Sequence, residues 1–93
     1  MDGAPDWLIN TFGVVAGLCS MASFVPQIIK ILKERDAESV SLRMYAVTTI
    51  GFACWTTYGA LSGSWPVTLA NAVCLVLVVI ILTLRLRFGS SDA

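Results

Sequence analysis

The sequence predicts an all-α integral membrane protein with three transmembrane helices forming a triple-helix bundle, and three observations carry that prediction. Hydrophobic residues make up 57% of the 93 residues and charged residues 13%, against about 45–50% and about 25% in soluble domains. The apolar residues fall into three stretches, each near the roughly 20 residues that a helix needs to cross a bilayer. Finally, all six basic residues, Lys30, Lys33, Arg35, Arg43, Arg85 and Arg87, lie on one face if the chain crosses three times. Two or four crossings would split them. The excess of Lys and Arg marks that face as cytoplasmic, with the N-terminus outside and the C-terminus inside.

Residues 1–93 form a single membrane domain. The first span is expected from about Trp7 to Leu32, some 26 residues, which is long enough to require tilt or a bend. Pro26 supplies the bend, because it removes the backbone bond to the carbonyl of Ala22. Lys33 to Val40 is a short charged loop. Ser41 is placed to cap a second span from about Leu42 to Leu61. Ser62-Gly63-Ser64 makes the outer turn. Ser64 then caps a third span from Trp65 to about Leu84, with Pro66 in its first turn, where a missing donor does no harm. Phe88 to Ala93 reads as a frayed tail.

Several classes of function are disfavoured. Cys19, Cys54 and Cys74 lie inside apolar stretches, and the chain has no His, so neither a metal site nor a disulfide framework is expected. No cofactor is implied. The basic residues sit where topogenic signals belong, so nucleic acid is not an expected partner and the lipid bilayer is. Asp2 and Asp6, with no Lys or Arg beside them, do not make the basic start of a cleavable signal peptide. No paired carboxylate or nucleophile–base constellation points to an enzyme.

The residues that bear on function lie within the spans. Trp55 is eight residues before Gly63 and Asn71 eight after it, so an antiparallel hairpin places them at one depth, roughly 10 Å below the turn. An aromatic plane and a carboxamide at one level suit a sugar ring, whose C–H face stacks on indole while its hydroxyls need donors and acceptors. The competing reading is that Trp55 packs on a neighbour and Asn71 bonds across helices as polar glue. Tyr58 shares the Trp55 face one turn nearer the outside. It either closes the outer mouth of a cavity or reaches the interface with its hydroxyl. Thr48 and Gly51 continue the stripe inwards as a floor of small residues.

In span 1, Ser20, Ser23 and Gln27 form a polar stripe that either lines water or back-bonds to helix carbonyls. Pro26-Gln27 lies about one turn before the basic residues and is either a moving hinge at the cytoplasmic mouth or a static kink, with Gln27 free to satisfy the backbone groups that the kink releases. Gly13 and Gly17 let helix backbones approach closely without naming the partner. Trp7 and Trp65 suit an outer aromatic belt. No Asp or Glu lies within a span, which favours a neutral substrate moving down its own gradient.

Pro26-Gln27, the Lys30–Lys33 stretch, Ser41-Leu42, Trp55-x-x-Tyr58 and Trp65-Pro66 followed by Asn71 together resemble the SemiSWEETs, bacterial half-size relatives of the SWEET sugar transporters in the PQ-loop superfamily. The resemblance covers the chain from span 1 to Arg87. It implies a parallel homodimer, six spans around a central route, in the cell inner membrane. Physics agrees, since three helices leave little room for a sugar-sized cavity. It implies that Trp55 and Asn71 of both copies hold a mono- or disaccharide, that Ser20 and Gly51 line the pocket, that Tyr58 is an outer gate, and that Pro26 and Gln27 form the inner hinge. Charged residues reported in some relatives' outer gates are replaced here by Ser62-Gly63-Ser64. The function implied is a facilitative sugar transporter working by alternating access. The alternatives are a non-transporting packing subunit or cargo receptor, and a proton-coupled amino-acid carrier of the PQ-loop type, for which no intramembrane carboxylate is available.

Overall fold

The polar breaks end one helix and start the next through identifiable groups. The computed structural model describes residues 4–89, in three helices: α1 (Asp6–Glu34), α2 (Leu42–Ser62) and α3 (Trp65–Phe88). Arg35, at φ 52°, closes α1 in the left-handed region. The Ser41 hydroxyl accepts from the Met44 N–H at 3.1 Å and starts α2. Gly63, at φ 76°, ends α2. Glycine suits this position because it has no Cβ to clash. The Ser64 hydroxyl then accepts from the Val67 N–H at 3.4 Å, with Pro66 inside the first turn of α3.

The third helix is longer than expected. It runs to Phe88 because the loop after α1 supplies a partner for its end: the Ala37 N–H donates to the Phe88 carbonyl at 3.2 Å. The expected tail therefore does not begin at Phe88, and its residues 90–93, like Asp2 at the other end, lie outside the described residues.

Across the bundle α3 lies in the middle. Both α1 and α2 pack along α3, and the two make no backbone-level contact with each other. Small residues allow the close approach. A Cβ on Gly13 would stand 2.8 Å from the Pro66 Cβ, and one on Gly17 would stand 2.6 Å from the Ala70 Cβ. The glycine pair of α1 thus belongs to the α1–α3 seam within the chain. Gly59 serves α2 in the same way, lying against the Thr68 backbone.

By length and composition α1 and α3 are long and apolar enough to cross a membrane. Four threonines dilute α2, but three of them hide their hydroxyls by donating to carbonyls one turn back: Thr49 to Tyr45 at 2.7 Å, Thr56 to Phe52 at 2.7 Å and Thr57 to Ala53 at 2.9 Å. Such local bonds are how hydroxyls are tolerated where water is absent.

The bundle is 52 Å long and 21 × 15 Å across. One end, the basic end, carries all six Lys and Arg residues, the 35–41 loop and the end of α3. The other, the turn end, carries the start of α1, the Ser62–Ser64 turn, Trp7 and Trp65. The buried core sits towards the basic end, where Ile31, Ala37, Val40, Tyr45, Val78 and Ile81 pack together. Arg85 is buried among them. Its Nε donates to the Val40 carbonyl at 2.7 Å, and its Nη1 is buried with no partner among the described residues.

Candidate functional site

The hairpin register follows from the α2–α3 contact. Gly59 lies against Val67 and Thr68, so four residues further from the turn Trp55 stands level with Asn71 and Ala72. Depth and direction are separate matters, however, and the two side chains do not meet within one chain. Asn71 lines a recess of about 140 Å³ between α1 and α3 together with Gly13, Gly17, Ser20, Phe52 and Cys74. Trp55 lines an open groove of about 440 Å³ along α2 with Gly51, Cys54 and Tyr58. Ser20 is therefore brought to Asn71, and Gly51 and Tyr58 to Trp55, as two half-sites at one level.

Each half-site has a definite chemistry. The Asn71 Nδ2 donates to the Val67 carbonyl at 2.8 Å, one turn back on its own helix. The carboxamide is consequently fixed by α3 and does not bridge helices, and its oxygen is left as an acceptor. Ser20 lines the recess together with Cys74, whereas Ser23 back-bonds to the Cys19 carbonyl at 3.1 Å. No Asp, Glu, Lys or Arg lines the recess. On α2, Trp55 is 55% and Tyr58 58% exposed, and their rings stack edge to face at 5.4 Å and 85°. A Cβ on Gly51 would meet nothing within 4 Å. In an apolar solvent an indole held this way presents a broad, rigid face.

Pro26 and Gln27 lie apart from both half-sites. They line a polar recess of about 280 Å³ at the basic end with Lys30, Glu34, Asp36 and Ser39. Gln27 does not turn back onto the backbone freed by Pro26. Its Oε1 accepts from the Tyr45 hydroxyl of α2 at 2.8 Å. Phe24 packs beside Tyr45, its ring 6.3 Å from the Tyr45 ring and 5.8 Å from that of Phe52, edge-on to both. Tyr45, Phe24 and Phe52 were not candidates from the sequence, although Phe52 shares the recess with Asn71.

Three apolar helices in the order α1, α3, α2 make a small integral membrane protein, with an uncharged recess and an exposed aromatic groove at one depth. Known proteins share that plan. Residues 8–68 match the family described as PQ loop repeat. A sugar transporter SemiSWEET of Bradyrhizobium diazoefficiens is 42% identical over 89% of this chain and 96% of its own length. The crystal structure of a bacterial homologue of SWEET transporters is 38% identical, with a TM-score of 0.82 over 88% of this chain and 99% of that one. A crystal structure of SemiSWEET in the inward-open conformation is 31% identical, with a TM-score of 0.75 over 86% of each chain. The chain belongs to the SemiSWEET branch of the PQ-loop family.

Proposed function

We propose that this chain is a facilitative transporter of a neutral mono- or disaccharide, working by alternating access between two parallel copies. The observation that carries the reading is the pair of half-sites at one level: an uncharged recess with Ser20 and Asn71, and an exposed Trp55 with Gly51 beneath it and Tyr58 towards the turn end. A recess of about 140 Å³ is smaller than the roughly 300–1,000 Å³ typical of small-molecule sites. The larger groove at Trp55, about 440 Å³, lies open along α2 and encloses nothing within one chain. Two copies facing each other through α2 would cover both indoles and join the half-sites into one chamber. The relative from Bradyrhizobium carries the name of a sugar transporter, and the similar structure in an inward-open conformation agrees with a cycle of access.

In this reading Trp55 stacks on the sugar, and Asn71 and Ser20 bond its hydroxyls. Tyr58 closes the outer mouth, and Pro26 with Gln27 bends the inner one. The protein sits in the inner membrane with the basic end in the cytoplasm and the N-terminus outside, as the excess of Lys and Arg at that end requires. The absence of Asp and Glu around the recess removes the usual coupling group for protons, so flux follows the sugar gradient.

Protein reconstituted in liposomes should equilibrate labelled glucose or sucrose without an ion gradient. Trp55→Ala and Asn71→Ala should each reduce uptake to background. Normal uptake by both variants would refute the site. Flux that rises with an imposed proton gradient would favour the proton-coupled carrier instead.

A further inference from the structure

The backbones of α1 and α2 each pack on α3 and not on each other, so whatever ties these two helices together beyond their loop must be made of side chains. At the level of Gln27 there is such a tie. The Tyr45 hydroxyl donates to the Gln27 Oε1 at 2.8 Å, and Phe24 lies edge-on to both Tyr45 and Phe52. Among the described residues this is the only side-chain hydrogen bond between α1 and α2. Tyr45 is 4% exposed. A phenol so deeply placed in apolar surroundings must find a partner, because an unpaired hydroxyl there costs more than the bond is worth.

The position of the bond along α1 gives it a consequence. Gln27 is the residue directly after Pro26, and Pro26 is where α1 has lost a backbone bond and bends most easily. Tyr45 therefore grips the first residue of the arm that swings, Gln27 to Glu34. The rest of that arm is held by the same block: Ile31 is buried in the basic-end core, and the loop that follows is fixed to α3 through Ala37 and Val40. On the other side of Pro26, α1 holds Ser20 at the recess. A bend at Pro26 thus separates a segment that lines the recess from a segment that Tyr45 fastens to α2 and the following loop fastens to the end of α3.

We infer that Tyr45 is a positioning residue of the transport cycle: its bond to Gln27 makes the arm of α1 beyond Pro26 move together with α2, the helix that carries Trp55. This rests on the transport reading above. Tyr45 touches no substrate. It acts through Gln27, by converting a bend in one helix into a joint movement of two, so that the inner mouth and the Trp55 wall change together.

The test is a double-mutant cycle with two readouts. Tyr45→Phe removes only the hydroxyl, and Gln27→Met keeps the side-chain length without the acceptor. Each single variant should exchange labelled sugar about fivefold more slowly in liposomes, the factor that one neutral hydrogen bond is worth. The double variant should be no slower than either single one. Equilibrium binding of labelled sugar to the purified protein should stay within about twofold throughout. The second readout is the spin-label distance between Lys33→Cys and Val47→Cys, with the native cysteines replaced and labelled chains diluted in unlabelled ones. It should be narrow with Tyr45 and broad with Tyr45→Phe. Wild-type exchange by Tyr45→Phe, multiplying effects in the double variant, or equal distance distributions would each overturn the inference. A narrow distribution that broadens as expected, in a protein that moves no sugar, would sink the transport reading alone and leave the tie between α1 and α2 standing.

Discussion

The two ends of this bundle are held together by different means. At the basic end the three helices and the loop share a core of interlocking side chains around Tyr45, Val78 and Ile81, reinforced by polar bonds that reach across the chain, from Arg85 to Val40 and from Tyr45 to Gln27. Towards the turn end the seams are backbone against small residue: Gly13 on Pro66, Gly17 on Ala70 and Gly59 on Thr68. The large side chains there, Trp7, Trp55, Tyr58 and Trp65, all point away and are more than half exposed. One end has a buried core within a single chain, although Leu32, Met44 and Leu86 still face outward there. The other presents its bulk outward, as a chain must if its site is finished by a second copy.

The sharpest way to break that contrast is to put volume into a turn-end seam. A Cβ at residue 17 would stand 2.6 Å from the Ala70 Cβ, and neither atom has a rotamer with which to escape. Gly17→Ala should destabilise the protein by up to about 3 kcal/mol, the upper part of the range for overpacking. Its thermal unfolding midpoint in detergent should fall accordingly. Ala70→Gly removes the opposing methyl and should restore most of the loss in the double variant. A Gly17→Ala protein as stable as wild type, or a double variant with no recovery, would mean that the seam is not set by this contact.

The basic end should respond to loss of a bond more than to gain of volume. Arg85→Met removes the donor to the Val40 carbonyl, a charge-assisted bond worth about 1.5–3 kcal/mol, and also removes a buried guanidinium whose Nη1 has no partner among the described residues. The second effect offsets part of the first, so a net loss of about 1.5 kcal/mol is expected. The same unfolding midpoints measure it, and proteolysis in the 35–41 loop should become faster. An unchanged midpoint with a loop still protected would show that the core alone holds this end.

The sequence made much of this visible, for reasons that differ by residue. Span positions, both serine caps and the turn at Gly63 are local matters, decided by residues that are neighbours in the chain. The common depth of Trp55 and Asn71 followed from counting to the turn. Their divergence into a recess and a groove did not, because direction around a helix depends on α3 lying between α1 and α2, and no count along two helices reveals the place of a third. The partner of Gly13 and Gly17 was hidden for the same reason. The extra turn of α3 depends on a donor at Ala37, some fifty residues earlier in the chain. Tyr45 was the real omission. Gln27 lies ten residues before Ala37 and Tyr45 eight after it, so the counting that paired Trp55 with Asn71 would have brought these two to nearly one level at the other end.

The smallest expected effect sharpens the comparison most directly, because each end holds one helix start capped by one serine. The Ser41 hydroxyl receives the Met44 N–H at 3.1 Å, within the ordinary range for such a bond. The Ser64 hydroxyl receives the Val67 N–H at a longer 3.4 Å. There Pro66 already fixes the backbone of the first turn, and the Thr68 hydroxyl adds a bond to the Ser64 carbonyl at 2.7 Å that alanine would leave intact. Ser41→Ala should therefore cost about 1 kcal/mol, the usual worth of a cap, and Ser64→Ala about half as much. Both fall on one unfolding assay. Equal losses would mean that the caps act alike whatever surrounds them, and a larger loss at Ser64 would reverse the assignment of the basic end as the firmer of the two.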